Sequence, residues 1–110
     1  MERGNLENFT PEQKQQALFM QLVLMFQQAA WSHLGKVPNP MTQKIERDLE
    51  QARMSIDMID MLKTRTQGNM QDEEVQMLDH VLRELRLNYV DELDKDKKEM
   101  AAPPEATANS

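Results

Sequence analysis

The first long helix predicted in this chain carries apolar side chains over more of its surface than a surface helix needs. Between Ala17 and Leu34 the only polar positions are Gln21, Gln27, Gln28, Ser32 and His33. On a helical wheel of about 100° per residue, the apolar side chains cover about two thirds of the circumference. A surface helix normally shows an apolar stripe about 100° wide. We therefore expect this helix, predicted over residues 10–34, to be covered on two sides.

Start and stop signals divide the chain into three helices. The segment Thr10-Pro11-Glu12-Gln13 offers a capping hydroxyl, a first-turn proline and a glutamine that closes a capping box. Gly35 suits the position just after a helix. The second helix is predicted over residues 40–67 and the third over residues 72–93. The third helix begins with three acidic residues, which suit a helix N-terminus. Residues 1–9 are expected to be flexible and residues 94–110 to form a disordered tail.

Apolar residues repeat at spacings of three and four in the second and third predicted helices, which indicates one packing face on each. The second helix shows Ile45, Leu49, Ala52, Ile56 and Ile59. The third shows Val75, Leu78, Leu82, Leu85 and Tyr89. Because the connection between them is short, we expect an antiparallel hairpin within an all-α three-helix bundle. The first helix is expected to pack on that hairpin through Phe19, Leu22, Val23, Phe26 and Ala30.

Two apolar surfaces are left over by this arrangement. One lies on the first helix and comprises Leu18, Met20, Leu24, Met25 and Trp31. The other lies on the second helix, where Met54, Met58 and Met61 fall together with Leu62 beside them. A cluster of long apolar side chains on an outer face predicts a covered surface. The methionines suit a second packing face, within the chain or across a dimer. A groove for changing partners and a thioether site for Cu(I) are the other interpretations.

Composition narrows the class of protein. The chain has 110 residues, which predicts one domain, and a net charge of -6 with no cluster of basic residues. This balance argues against binding to nucleic acid and to anionic membrane surfaces. The chain has no cysteine, which excludes disulfides and a thiol nucleophile and agrees with a reducing cytoplasm.

Candidate chemistry is sparse. We predict no catalytic residue, no cofactor, no metal site and no small-molecule ligand, and therefore a protein that is not an enzyme. The rival hypothesis is a small metal-dependent or acid/base enzyme that uses Asp57, Asp60, His80 and Glu84. That hypothesis requires the four side chains to converge on one pocket.

Short segments between Leu34 and Val90 carry a family resemblance. They are Leu34-Gly35, Pro38-Asn39-Pro40-Met41-Thr42, Asp48-Leu49, Ala52, Ile56-Asp57, Met61-Leu62-Lys63, Thr66, Gly68-Asn69, Glu73-Glu74, Leu82, Leu85-Arg86 and Tyr89-Val90. Together they resemble the bacterial domain-of-unknown-function 1844 family, and with the first helix the likeness covers most of residues 17–93.

This resemblance implies an all-helical fold in a bacterial, cytosolic protein, and it brings no activity or site residues with it. The chain departs from the family in one place. Family members tend to place Leu-Thr before the acidic start of the third helix, where this chain has Met70-Gln71. Asn69 or Asp72 would then have to cap that helix.

The sequence therefore predicts a cytoplasmic interaction or scaffold module that self-associates, most simply as a homodimer, through its apolar helix faces. A subunit or regulator in a complex with another protein remains the third hypothesis.

Overall fold

The described part of the protein folds into three α-helices, as the sequence predicts. A computed structural model describes residues 8–101. Helix α1 spans Pro11–His33, α2 spans Leu49–Arg65 and α3 spans Asp72–Ala101. No strand occurs within this part of the chain. Helix α2 lies at the centre and packs against both neighbours, whereas α1 and α3 contact each other less.

Both ends of α1 are fixed by the local signals in the sequence. Thr10 accepts a hydrogen bond from the Gln13 N–H at 3.1 Å, and the Gln13 side chain accepts one from the Thr10 N–H at 3.0 Å. This is the expected capping box. At the other end Gly35 has φ +81°, and the Lys36 N–H donates to the Trp31 carbonyl. Such a left-handed residue closes a helix by satisfying its last carbonyls.

The second helix begins at Leu49 rather than at residue 40, so the predicted start is wrong. Asn39 uses both its backbone and its side chain to build a turn. Its Oδ1 accepts from the Met41 N–H at 2.8 Å, and its carbonyl accepts from the Gln43 N–H at 2.6 Å. Gln43 then adopts φ +60°, which no α-helix contains. Ile45, expected in the core, consequently lies in a loop and is 57% exposed.

Helix α3 extends beyond residue 93 to Ala101, which corrects the prediction of a disordered tail from residue 94. Ion pairs support the extension: Lys95 pairs with Asp91 and Glu92, and Arg47 reaches Asp96 at 2.8 Å. The predicted flexible start and the rest of the tail, residues 1–7 and 102–110, lie outside the described residues.

The start of α3 corrects a second expectation. Gln71 itself holds the capping position, because its carbonyl accepts from the Val75 N–H at 3.1 Å. The Glu74 side chain accepts from the Gln71 N–H at 2.9 Å, which supplies the side-chain half of a capping box. Neither Asn69 nor Asp72 is needed as the cap.

The core is small and aliphatic. It comprises Val23, Ala30, Leu34, Ala52, Ile56, Ile59, Leu78, Val81, Leu82 and Leu85. Ion pairs join α2 to α3 at its edge: Asp60 pairs with Arg86 at 3.2 Å, and Lys63 pairs with Asp79. Residues later in α2 thus lie beside residues earlier in α3. Within residues 8–101, these contacts leave apolar side chains exposed on the outer side of each helix.

Candidate functional site

An unbroken apolar stripe runs along the outer side of α1. It consists of Leu18, Leu22, Met25 and Ala29, spaced by four, three and four residues, and we call it the α1 stripe. Leu18 is 48% exposed and Met25 is 62% exposed. Leu22 was expected against the other helices, but its side chain is exposed as well. Residues at these spacings share one helix face, so the stripe is a continuous surface rather than scattered exposure.

The stripe lies apart from the face of α1 that enters the core. Val23 and Ala30 are fully buried, and on the wheel they lie about 120° from the centre of the stripe. The half-buried Phe19 and Phe26 occupy the arc between the two faces. Helix α1 therefore has one packing face within the protein and a second one that is open to solvent.

A second open face lies on α2. Met54 is 54% exposed and Met58 is 36% exposed, and Met61 beside them is also exposed. We call these three residues the methionine face. They lie on the side of α2 opposite the buried Ala52 and Ile59. The sequence placed the three methionines on this outer face, and the structure leaves them uncovered.

The remaining residues of the predicted surface differ in exposure. Leu24 is exposed, whereas Met20 is half-buried. Trp31 and Leu62 are also half-buried and pack against the core. Those two side chains are therefore partly used within the protein.

A groove of about 580 Å³ opens at the C-terminal end of the α1 stripe. The last turns of α1 form one wall, and the loop that follows α1 forms the other. The lining residues are Met25, Gln28, Ala29, Trp31, Ser32, His33, Val37, Pro38, Asn39 and Pro40. We call it the proline groove. Because Met25 and Ala29 belong to both features, the stripe runs directly into the groove.

The four residues of the rival enzyme hypothesis, Asp57, Asp60, His80 and Glu84, do not share one pocket. Asp57 faces Arg53 at 3.9 Å on the same helix, and Asp60 pairs with Arg86. His80 and Glu84 are exposed on α3. Over residues 8–101, no three His, Asp or Glu side chains are grouped to hold a metal ion. The described structure thus offers no convergent pocket to these four residues.

A buried acid that the sequence reasoning missed holds the wall of the proline groove in place. The Glu92 side chain is 8% exposed. Its carboxylate accepts hydrogen bonds at 2.9 Å from Lys36, Arg47 and Lys95. The bonds from Lys95, Lys36 and Arg47 outweigh burial and lower the pKa of Glu92 from 4.5 to about 2.

Glu92 connects α3 to the loop between α1 and α2. Lys36 and Arg47 stand near the two ends of that loop, and the Arg47 Nη2 also donates to the Glu92 carbonyl at 3.1 Å. Gly35 allows this approach, because a Cβ there would lie 3.3 Å from the Arg47 side chain. The sequence contained a signal for this site. Glu92 continues the seven-residue spacing of the buried Leu78 and Leu85, where an acid is out of place.

Comparison with known proteins identifies a family and no individual relative. The family model described as a domain of unknown function (DUF1844) matches residues 16–91. No curated protein and no solved structure matches the chain. No described helix combines the length with the hydropathy that a membrane crossing requires.

Proposed function

Since the chain belongs to the DUF1844 family, which carries no assigned activity, we propose its function from its surfaces: a small interaction module that self-associates through apolar helix faces. The observation that carries the proposal is the exposure of the α1 stripe and the methionine face in a single copy. Scattered exposed apolar residues are normal, but continuous stripes mark surfaces that another molecule covers.

The size of the core supports the same interpretation. A chain of this length buries only a modest share of its surface when it folds alone. Burial of an exposed apolar face against a partner therefore adds substantially to the apolar area removed from water. At about 25 cal/mol for each Å² of apolar surface removed from water, covering several leucines and methionines favours association by several kcal/mol. Helix-on-helix packing is the corresponding mechanism.

The separation of Asp57, Asp60, His80 and Glu84 favours this module over the metal-dependent or acid/base enzyme. General acid/base work needs two groups within reach of one substrate atom. The nearest partners of Asp57 and Asp60 are arginines instead. A role in cytoplasmic assembly, either with itself or as a subunit beside another protein, uses the apolar faces without requiring such a pocket.

Light scattering with sedimentation tests the proposal over a concentration series of about 1 to 100 μM, a range in which associations of about −7 kcal/mol become visible. We expect a species larger than one chain that dissociates on dilution. Met25→Glu places a charge on the α1 stripe and Met58→Glu places one on the methionine face, so each variant is expected to weaken association through the face that it alters. Gln76→Glu adds the same charge at an exposed polar position and serves as the control.

Circular dichroism separates loss of association from loss of folding in each variant. A single-chain mass at every concentration, with the helices intact, would contradict self-association. A pull-down that recovers a specific second protein, whose binding is abolished by Met58→Glu and retained by Gln76→Glu, would then identify the heteromeric version.

A further inference from the structure

We propose that the partner on the α1 stripe is a second copy of this chain, whose own α1 lies antiparallel along it and places Leu18 in the proline groove beside Ala29. This inference rests on the proposed self-association and specifies its geometry. The partner's Leu18 enters the groove of the first copy, and Leu18 of the first copy enters the partner's groove. The interface is therefore the same patch on both copies, as a two-fold dimer requires.

The spacing of the stripe fixes the register. Steps of four, three and four residues are the a and d positions of a heptad seam. When a second α1 runs in the opposite direction with its centre between Leu22 and Met25, Leu18 faces the partner's Ala29. Leu22 then faces the partner's Met25. Every layer thus pairs an a position with a d position across the two-fold axis.

Shape complementarity selects this register. The outer layers each combine a large side chain, Leu18, with a small one, Ala29. Because Ala29 ends at its Cβ, the wall of α1 recedes there, and the groove of about 580 Å³ opens at that level. A knob from one helix needs such a hole on the other. The parallel arrangement would instead place leucine on leucine at one end and leave two alanines facing each other at the other.

Charge explains why a second copy is able to approach along this face. Each chain carries a net charge of -6, so two copies repel each other in general. From Gln15 to Ser32, however, eighteen consecutive residues carry no Asp, Glu, Lys or Arg. Two α1 helices therefore meet without placing like charges opposite each other. The methionine face lies beside Arg53, Asp57 and Arg65 and offers no small residue to receive a knob.

Cysteine cross-linking tests the geometry in a chain that has no cysteine of its own. Two proteins, Leu18→Cys and Ala29→Cys, are mixed and oxidised. We expect the mixed Leu18→Cys with Ala29→Cys disulfide to form, because a disulfide needs Cβ atoms about 4 Å apart. Leu18→Cys alone should not cross-link to itself, since eleven residues at 1.5 Å each separate the two positions by about 16 Å along the axis.

A size swap gives an independent readout. Leu18→Ala and Ala29→Leu each upset both outer layers, and each is expected to raise the dimer dissociation constant by about 100-fold, a tenfold effect per layer. The double variant Leu18→Ala/Ala29→Leu again pairs one large and one small side chain, and should return to within about tenfold of the parent. Circular dichroism confirms that each protein is folded.

The outcomes separate this geometry from self-association as such. A dimer in which Leu18→Cys cross-links to itself would overturn the antiparallel register. Met58→Cys is oxidised in the same way as a third variant. If it alone cross-links, the interface lies on the methionine face, and the antiparallel pairing of α1 is overturned too. In both cases the proposed function would stand. A single-chain mass at all concentrations would remove the geometry and self-association together.

Discussion

Replacing Glu92 by glutamine tests how the fold holds the loop between α1 and α2. The change keeps the size of the side chain and removes its charge, so the effect measures the ion-pair cluster rather than packing. Lys36, Arg47 and Lys95 each donate to the Glu92 carboxylate at 2.9 Å. Glutamine offers one acceptor oxygen and an amide that faces the same cations, so at least one of them loses its partner.

The magnitude follows from the pKa of Glu92, which these hydrogen bonds lower from 4.5 to about 2. A depression of that size corresponds to about 3 kcal/mol of stability at neutral pH, as an upper value. The cationic partners are themselves one third to more than one half exposed, and solvent screens them. We therefore expect Glu92→Gln to lower the free energy of unfolding by about 2 kcal/mol, or the melting temperature by about 10 °C.

The pH dependence has a definite sign. Because the folded pKa of Glu92 lies below its unfolded value of 4.5, the stabilisation is complete well above that value. It decreases as the pH falls from about 5 towards 2, where the carboxylate becomes protonated in the folded protein too. The difference between the parent and Glu92→Gln should therefore be largest at pH 7 and smaller at about pH 3.

Urea unfolding followed by circular dichroism at about pH 7, 5 and 3 measures this difference. Glu84→Gln is the control, because Glu84 is exposed on the same helix and the change in net charge is identical. A loss of less than about 0.5 kcal/mol at pH 7, no larger than expected for exposed pairs, would refute the role given to Glu92. A loss that is unchanged at pH 3 would refute its electrostatic origin.

Two further matched pairs test the fold. Gly35→Ala and Gly68→Ala both force a side chain onto a positive φ, but only the new Cβ at position 35 meets Arg47. Thermal melts should therefore show a larger loss of stability for Gly35→Ala than the roughly 1 kcal/mol expected for Gly68→Ala. Equal losses would contradict the contact. Ile59→Ala empties a fully buried position and should cost about 2–5 kcal/mol in urea titrations, whereas Met58→Ala at a concentration where the protein is monomeric should cost less than about 1 kcal/mol.

The sequence by itself determined the three helices of the described residues, the cap at Thr10 and the stop at Gly35. The cap depends on a side chain that bonds to its neighbouring backbone, and the stop depends on a residue that adopts a positive φ at little cost. It also placed Met54, Met58 and Met61 on the outer side of α2, since helical spacing alone assigns a residue to a face. Its prediction of self-association stays a prediction.

Only the tertiary structure decided where α2 begins and what Glu92 does. Helix α2 begins directly after Asp48, whose N–H donates at 2.7 Å to the carbonyl of His33 at the end of α1, a contact that exists only once the two helices have packed. The role of Glu92 depends on its hydrogen bonds from Lys36 and Arg47, which lie 56 and 45 residues away along the chain. These residues become its neighbours only after α3 packs against the loop. Periodicity records which face a residue occupies, but it carries no information about distant charges that share that face. The same contacts hold the wall of the proline groove, and so that groove emerges from the fold rather than from any local pattern.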